Sequence, residues 1–236
     1  MLFSPTYLLF MLPVIVFSFW SQSRVRGAYA KYSKVPASSG LPGAQAALCL
    51  LQSVGIADVE IERTQGRRQL GDHYDPRDRT LRLSAGVHDN ASIAALAIAA
   101  HEAGHAIQDQ VRYPYLALRT SFVPAANIGS RLGGLLLMGG FLLAAFSGSP
   151  FGLTIAWIGL ALYALAFVFT VITLPVEFDA SRRALRLLQT NGMLDEGELG
   201  DAKKVLDAAA LTYVAAMATA LVSLLYWASL LIGRRD

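Results

Sequence analysis

Two histidines stand four residues apart in the stretch AAHEAGHAIQDQ, residues 99–110, and a glutamate directly follows the first. On an α-helix, positions i and i+4 share a face with Cβ atoms about 5–6 Å apart, so His101 and His105 can aim ring nitrogens at one ion. Glu102 is turned about 100° from His101 on such a helix. It stands beside the ion rather than on it, placed to take a proton from a water there. The chemistry that needs this set is zinc binding plus a general base. Zinc brings the pKa of a water it holds down to about 7, which makes hydroxide available at neutral pH. Ala100, Ala103 and Gly104 are small and let other elements approach closely. The plain alternative is a pair of exposed or hydrogen-bonded helix histidines.

A catalytic zinc takes three protein ligands and keeps one position open. The other two histidines are His73 and His88. Among carboxylates, Glu177 and Asp179 stand out because they follow a run of uncharged residues, 132–176. If that run is a membrane hairpin, two crossings return the chain to the face that carries His105. The stretch VEFDASRRALRLL reads as a helix on which Glu177 and Ser181 share a face and Asp179 points away. Glu177 is therefore the first expectation for the third ligand and Asp179 the alternative. The plain alternative for Glu177 is an ion pair with Arg182 or Arg183.

The elements that must position these residues are mostly apolar. Of 236 residues, 54% are hydrophobic and only 16% charged, against about 25% charged in an ordinary soluble domain; mean hydropathy is +0.44. Residues 1–23, 132–176 and 208–233 contain no Asp, Glu, Lys or Arg. A helix of about 20 apolar residues crosses a bilayer. The middle run is long enough for two crossings and breaks at Ser147-Gly148-Ser149-Pro150, a turn-like sequence. The expectation is four spans near 4–21, 126–147, 151–174 and 211–232. The first reads as a retained anchor rather than a signal peptide, because no positive residue precedes it and no small-residue cleavage site follows Trp20.

Positive residues favour the cytoplasmic side of a span. Arg24, Arg26, Lys31 and Lys34 place the end of span one inside, and Arg112, Arg119 and Arg131 do the same for the start of span two. Arg182, Arg183 and Arg186 agree for span three, while Arg234 and Arg235 disagree. This puts the histidine pair at the cytoplasmic surface of the membrane. Cys49 is the single cysteine, so no intrachain disulfide forms. The net charge of +3 reflects membrane orientation; no basic stripe with interleaved aromatics is present, so nucleic acid is not an expected partner.

The predicted organisation is an N-terminal anchor with basic flank (1–34), a domain carrying the histidine helix (35–120), a transmembrane hairpin (121–175), a third-ligand helix and its successor (176–210) and a C-terminal span (211–236). Within 35–120, KVPASSGLPG is a linker and GAQAALCLLQSVGI a short helix stopped by Gly55. VEIE (59–62) and TLRLS (80–84) alternate as strands do. GDHYDPRDR (71–79) reads as a polar turn region. Asp89, Asn90 or Ser92 caps a helix spanning about 92–110. His73 or Tyr74 offers a hydrogen bond to the oxyanion of a carbonyl under attack, but a tight turn is favoured there. His88 is expected in solvent, and Arg182 and Arg183 against phospholipid headgroups. Segment 64–79 is a candidate cover for the cleft.

With these elements in hand, the chain resembles the YugP-type neutral zinc metallopeptidases of bacteria. The resemblance rests on SGLPGAQAALCLLQSVGI, DHYDPRDRTLRLS, NASIAALAIAAHEAGHAIQDQ and PVEFDASRRAL in that order, and covers most of the chain. The family is a membrane-embedded relative of the gluzincins, whose third ligand is a glutamate on a later helix. The resemblance implies a mainly α integral membrane protein with a small α+β zincin-like (minigluzincin) domain at the cytoplasmic face of the bacterial inner membrane. It implies Zn2+ held by His101, His105 and Glu177, with Glu102 as base, and strand 80–84 as the edge along which an extended peptide pairs. The chain departs from the HtpX and CAAX-prenyl-protease type, whose third-ligand helix reads E-x-x-x-D. Ser181 occupies the fourth position after Glu177 here, so support for the ligand histidines falls to Ser181, Asp179 or another group.

The function expected is a membrane-anchored zinc peptidase acting on peptides or proteins, membrane proteins included. The competing expectation is a non-catalytic membrane scaffold or adaptor with a structural or vestigial zinc site. Glu102 speaks against that, because a structural zinc has no use for a base and favours four closed ligands, often Cys. Transport calls for charged groups inside the spans, and spans three and four carry none.

Overall fold

The computed structural model describes residues 5–64, 71–148 and 150–233. Ser149, Arg234, Arg235 and residues 65–70 of the segment suggested as a cleft cover lie outside them. In chain order the elements are α1 (Pro5–Tyr32), α2 (Gly43–Ser53), β1 (Glu60–Arg63), β2 (His73–Asp75), β3 (Thr80–Leu83), α3 (Ala85–His88), α4 (Ile93–Gln110), α5 (Pro114–Ser147), α6 (Pro150–Thr190) and α7 (Glu196–Ile232). Among the described residues the protein is mainly helical with one small sheet. Four helices, α1, α5, α6 and α7, are long and apolar enough to cross a membrane.

The long helices overrun the expected spans. Helix α5 begins at Pro114, α6 runs unbroken through Pro175 to Thr190, and α7 starts at Glu196. Pro175 sits inside α6. Proline is tolerated inside membrane helices because neighbouring groups make good the lost backbone bond.

The chain divides into two units. The first comprises Met1–Trp20, Leu118–Leu174 and Thr212–Asp236. In it Leu137 and Phe141 of α5, Ala156 and Leu160 of α6 and Leu231 of α7 form a buried cluster. Gly133 and Gly140 of α5 lie against the backbone of α6 with no room for a Cβ, the close approach that small residues permit between membrane helices. Large apolar side chains such as Leu9, Leu135 and Phe146 face outward.

The second unit comprises Ser21–Ala117 and Pro175–Leu211. Helix α4 runs through its core. The side chain of Ser92 caps it, accepting a bond from the Ala95 N–H at 3.2 Å, which satisfies one of the free donors of the first turn. One side of α4 (Ile93, Leu96, Ala97, Ala100) packs with Leu50 of α2, Ala184 and Leu188 of α6 and Leu206 of α7. The other (Ala99, Ala103, Ala106, Ile107) packs with Leu51 of α2, Leu81 and Leu83 of β3 and Val87 of α3.

The sheet has the order β1-β3-β2, with β1 parallel and β2 antiparallel to β3. The register pairs Ile61 with Leu81 on one side and Tyr74 with Leu81 on the other. Two expectations are corrected here. The stretch 71–79 is not turn throughout: His73–Asp75 is a strand, and the reversal follows at 76–79, where Arg79 takes a left-handed φ of 53°. Strand β3 is also not an edge. It pairs with β1 on one side and β2 on the other, so among the described residues the edges belong to β1 and β2.

Candidate metal centre

All the residues discussed here lie in the second unit. His101 and His105 project from one face of α4, their rings edge-on with centroids 4.8 Å apart. Glu177 comes from α6 and is almost fully buried, 2% exposed. Its Oε2 lies 3.2 Å from His101 Nε2 and 3.5 Å from His105 Nε2. One ligand atom from each of the three lies within 4.8 Å of the others. Zinc–nitrogen and zinc–oxygen bonds of about 2.0–2.2 Å in a tetrahedron put neighbouring ligand atoms roughly 3.3–3.5 Å apart. The two nitrogen–oxygen spacings match that requirement, and two imidazoles with one carboxylate are a donor set that suits zinc.

What lets α6 deliver Glu177 is the glycine of HEAGH. A Cβ on Gly104 would sit 2.8 Å from the Ala180 carbonyl oxygen and 3.2 Å from its Cα. The two helix backbones therefore touch at this point. Glu177, one turn before Ala180, reaches the His101–His105 face as a result.

Glu102 is buried beside the pair, and its Oε2 accepts a bond from the backbone N–H of Tyr74 at 3.2 Å. Strand β2 thus fixes the orientation of that carboxylate. Tyr74 is itself tied down by its phenol, which donates to Asp109 of α4 at 2.8 Å. Burial and that bond push the phenol well above its ordinary pKa, so it stays a neutral donor. The phenol is thus committed to Asp109. His73 is exposed, with its Nδ1 2.9 Å from the Gly71 carbonyl oxygen, and is not part of the cluster. His88 pairs with Asp89 at 2.7 Å.

The residues proposed to support the histidines divide between two partners. Ser181 Oγ lies 3.1 Å from His101 Nδ1. His105 Nδ1 lies 2.9 Å from Gln108 Oε1. Gln108 in turn donates to the Val176 carbonyl and to Asp179 Oδ2, each at 2.8 Å. Asp179 does not point away from the site: it lies one turn beyond Val176, on the side of α6 that Gln108 crosses, and Arg183 holds its carboxylate at 2.6 Å. Gln108, Asp109 and the Tyr74 N–H were not singled out by sequence. The signal for Gln108 was its position three residues after His105, on the same helical face.

The electrostatics of the pocket favour positive charge. Burial pushes the His105 imidazole down, but the hydrogen bond with Glu177 and the carboxylates of Glu102 and Glu177 outweigh it and raise its pKa. Asp72, whose carboxylate accepts from the Ser84 N–H at 2.6 Å, is raised by burial, with the Glu102 carboxylate adding to the effect.

A family model described as "Putative neutral zinc metallopeptidase" matches residues 7–232. A relative from Bacillus subtilis (strain 168), "Putative membrane protease YugP", is 42% identical over 219 residues, covering 93% of each chain. No solved structure matches.

Proposed function

The chain belongs to the neutral zinc metallopeptidase family, and from that premise we propose that it is a membrane-anchored zinc endopeptidase of the gluzincin type. The observation that carries the reading is the meeting of His101, His105 and Glu177 at zinc-ligand spacing with Glu102 buried next to them. His101, His105 and Glu177 would hold the zinc, which would supply a Lewis acid to acidify water and polarise a scissile carbonyl. Glu102 takes the proton from the attacking water and hands it to the leaving amine. The Tyr74 N–H keeps the Glu102 carboxylate turned toward its task, and Ser181 and Gln108 hold the ligand rings.

The second unit is the zincin-like domain in this reading, placed by the positive-residue distribution at the cytoplasmic face of the bacterial inner membrane. Substrates are peptides or proteins, membrane proteins among them; the lipid bilayer is the other partner, and nucleic acid is not one. An extended substrate pairs with the outer edge of β2 rather than with β3. The scaffold alternative leaves a buried, backbone-oriented Glu102 without a purpose.

The deciding comparison sets the native chain against Glu102→Gln, measuring zinc content and cleavage of an unstructured protein. Zinc retained with cleavage lost is expected. Equal cleavage by both chains removes Glu102 as the base, and absence of cleavage in the native, zinc-loaded chain removes the peptidase reading.

A further inference from the structure

Gln108 is completely buried, and its side-chain amide is fully committed. Its nitrogen donates to two groups that can only accept, the Val176 carbonyl and the Asp179 carboxylate. Turning the amide over would set its oxygen against both of them. The orientation is therefore forced, and the amide oxygen faces His105 Nδ1 at 2.9 Å. A carbonyl oxygen accepts and never donates. The hydrogen between the two atoms must belong to His105 Nδ1, which leaves the lone pair of a neutral ring on Nε2, the atom 3.5 Å from Glu177. The arrangement does not extend to His101. Its partner, the Ser181 hydroxyl, can donate or accept and so selects no tautomer.

We infer that Gln108 is a positioning residue for the metal centre: with Asp179 behind it, it locks His105 in the Nδ1–H tautomer and ties that ligand to the turn of α6 that carries Glu177. The inference rests on the zinc reading above and adds how the site is assembled. Gln108 touches both ligand-bearing helices, because Val176 directly precedes Glu177. Asp179 contributes by fixing the amide, and Arg183 neutralises it, so no carboxylate acts directly on the ring at Nδ1. The ligand is oriented without the gain in basicity that a carboxylate partner gives a metal-bound imidazole.

The test uses the full chain in detergent, labelled with 15N-histidine and loaded with zinc. His73→Gln and His88→Gln remove the two outlying signals. Long-range 1H–15N correlation is expected to show a ring protonated at Nδ1 and metal-bound at Nε2 that shifts in Gln108→Leu but not in Ser181→Ala. Zinc affinity, read by chelator competition, is expected to fall about 10–100-fold in Gln108→Leu. Gln108→Glu keeps an oxygen that accepts from His105 but sets its second oxygen against the Val176 carbonyl and the Asp179 carboxylate, so it is expected to recover only part of that loss. Zinc bound at Nδ1 of the responding ring overturns the inference, as does Gln108→Leu with wild-type affinity and an unmoved signal. If Gln108→Leu does not fold, the wild-type spectrum decides alone. A native chain that takes up no zinc sinks the proposed function itself and this inference with it. Zinc uptake indifferent to Gln108 sinks only the inference.

Discussion

Replacing Gly104 by Ala tests whether backbone contact between α4 and α6 sets the metal centre. The added Cβ would meet the Ala180 carbonyl oxygen at 2.8 Å, where ordinary contact begins near 3.4 Å, so the helices must part by about 0.6 Å. The obstacle is backbone, which cannot rotate away. Metal–ligand distances in a fitting site lie within about 0.2 Å of standard values, so a shift of that size pulls Glu177 away from the His101–His105 pair. Overpacking of this kind costs about 1–3 kcal/mol, offset by about 1 kcal/mol for removing a helical glycine. The metal-free fold should therefore lose roughly 0–2 kcal/mol, while zinc affinity falls about tenfold or more. At a zinc concentration 100 times the native Kd, zinc stabilises the native chain by about 2.7 kcal/mol, and a tenfold weaker variant by about 1.4 kcal/mol. Thermal unfolding with and without zinc, together with chelator competition, reads both numbers. Gly200→Ala is the control: nothing lies within 4 Å of its added Cβ, so it should gain up to about 1 kcal/mol and leave zinc binding alone. Native zinc affinity in Gly104→Ala would refute the idea that this crossing sets the site.

Glu177→Ala removes one of three ligands, and zinc content after dialysis should drop to a small fraction of the native value; full occupancy would exclude it from the ligand set. Tyr74→Phe breaks the bond to Asp109 and should cost about 1–3 kcal/mol of stability by thermal unfolding. Turnover should fall less than tenfold, whereas loss of an oxyanion donor would cost about 10²–10³. The raised pKa of His105 predicts pH effects of opposite sign in the two forms of the protein. In the metal-free chain the folded state holds that proton more tightly than the unfolded state. The stability it adds is complete below about pH 6.5 and disappears as pH rises through the raised value. Zinc must displace the same proton, so its affinity should weaken with acidification, beginning above the ordinary histidine range; titration of zinc uptake against pH checks this.

The part of the site readable from sequence is the part that local geometry dictates. His101 and His105 share a face because a helix repeats every 3.6 residues, and nothing distant alters that. Glu177 was marked by the uncharged residues before it. The spacing of Gln108 from His105 puts the two on one face, but the role of its amide exists only where α6 lies across it. Asp179 was judged from α6 alone, whereas its neighbour belongs to α4. The strand His73–Asp75 was hidden by Asp75-Pro76, which signals a turn, and that turn lies just after it. The central place of β3 was hidden because spatial order in a sheet need not follow chain order: β1 pairs with β3 over the intervening β2.

Helix α4 buries seven alanines, at positions 94, 95, 97, 99, 100, 103 and 106. Alanine has no rotamers to surrender on folding, so the scaffold around the two imidazoles hardens without a side-chain entropy penalty and has little left to rearrange. A cation arriving there meets donors already in place. Its rate of capture then depends on how fast it sheds water, and a cation of the wrong size finds a frame that will not yield to suit it.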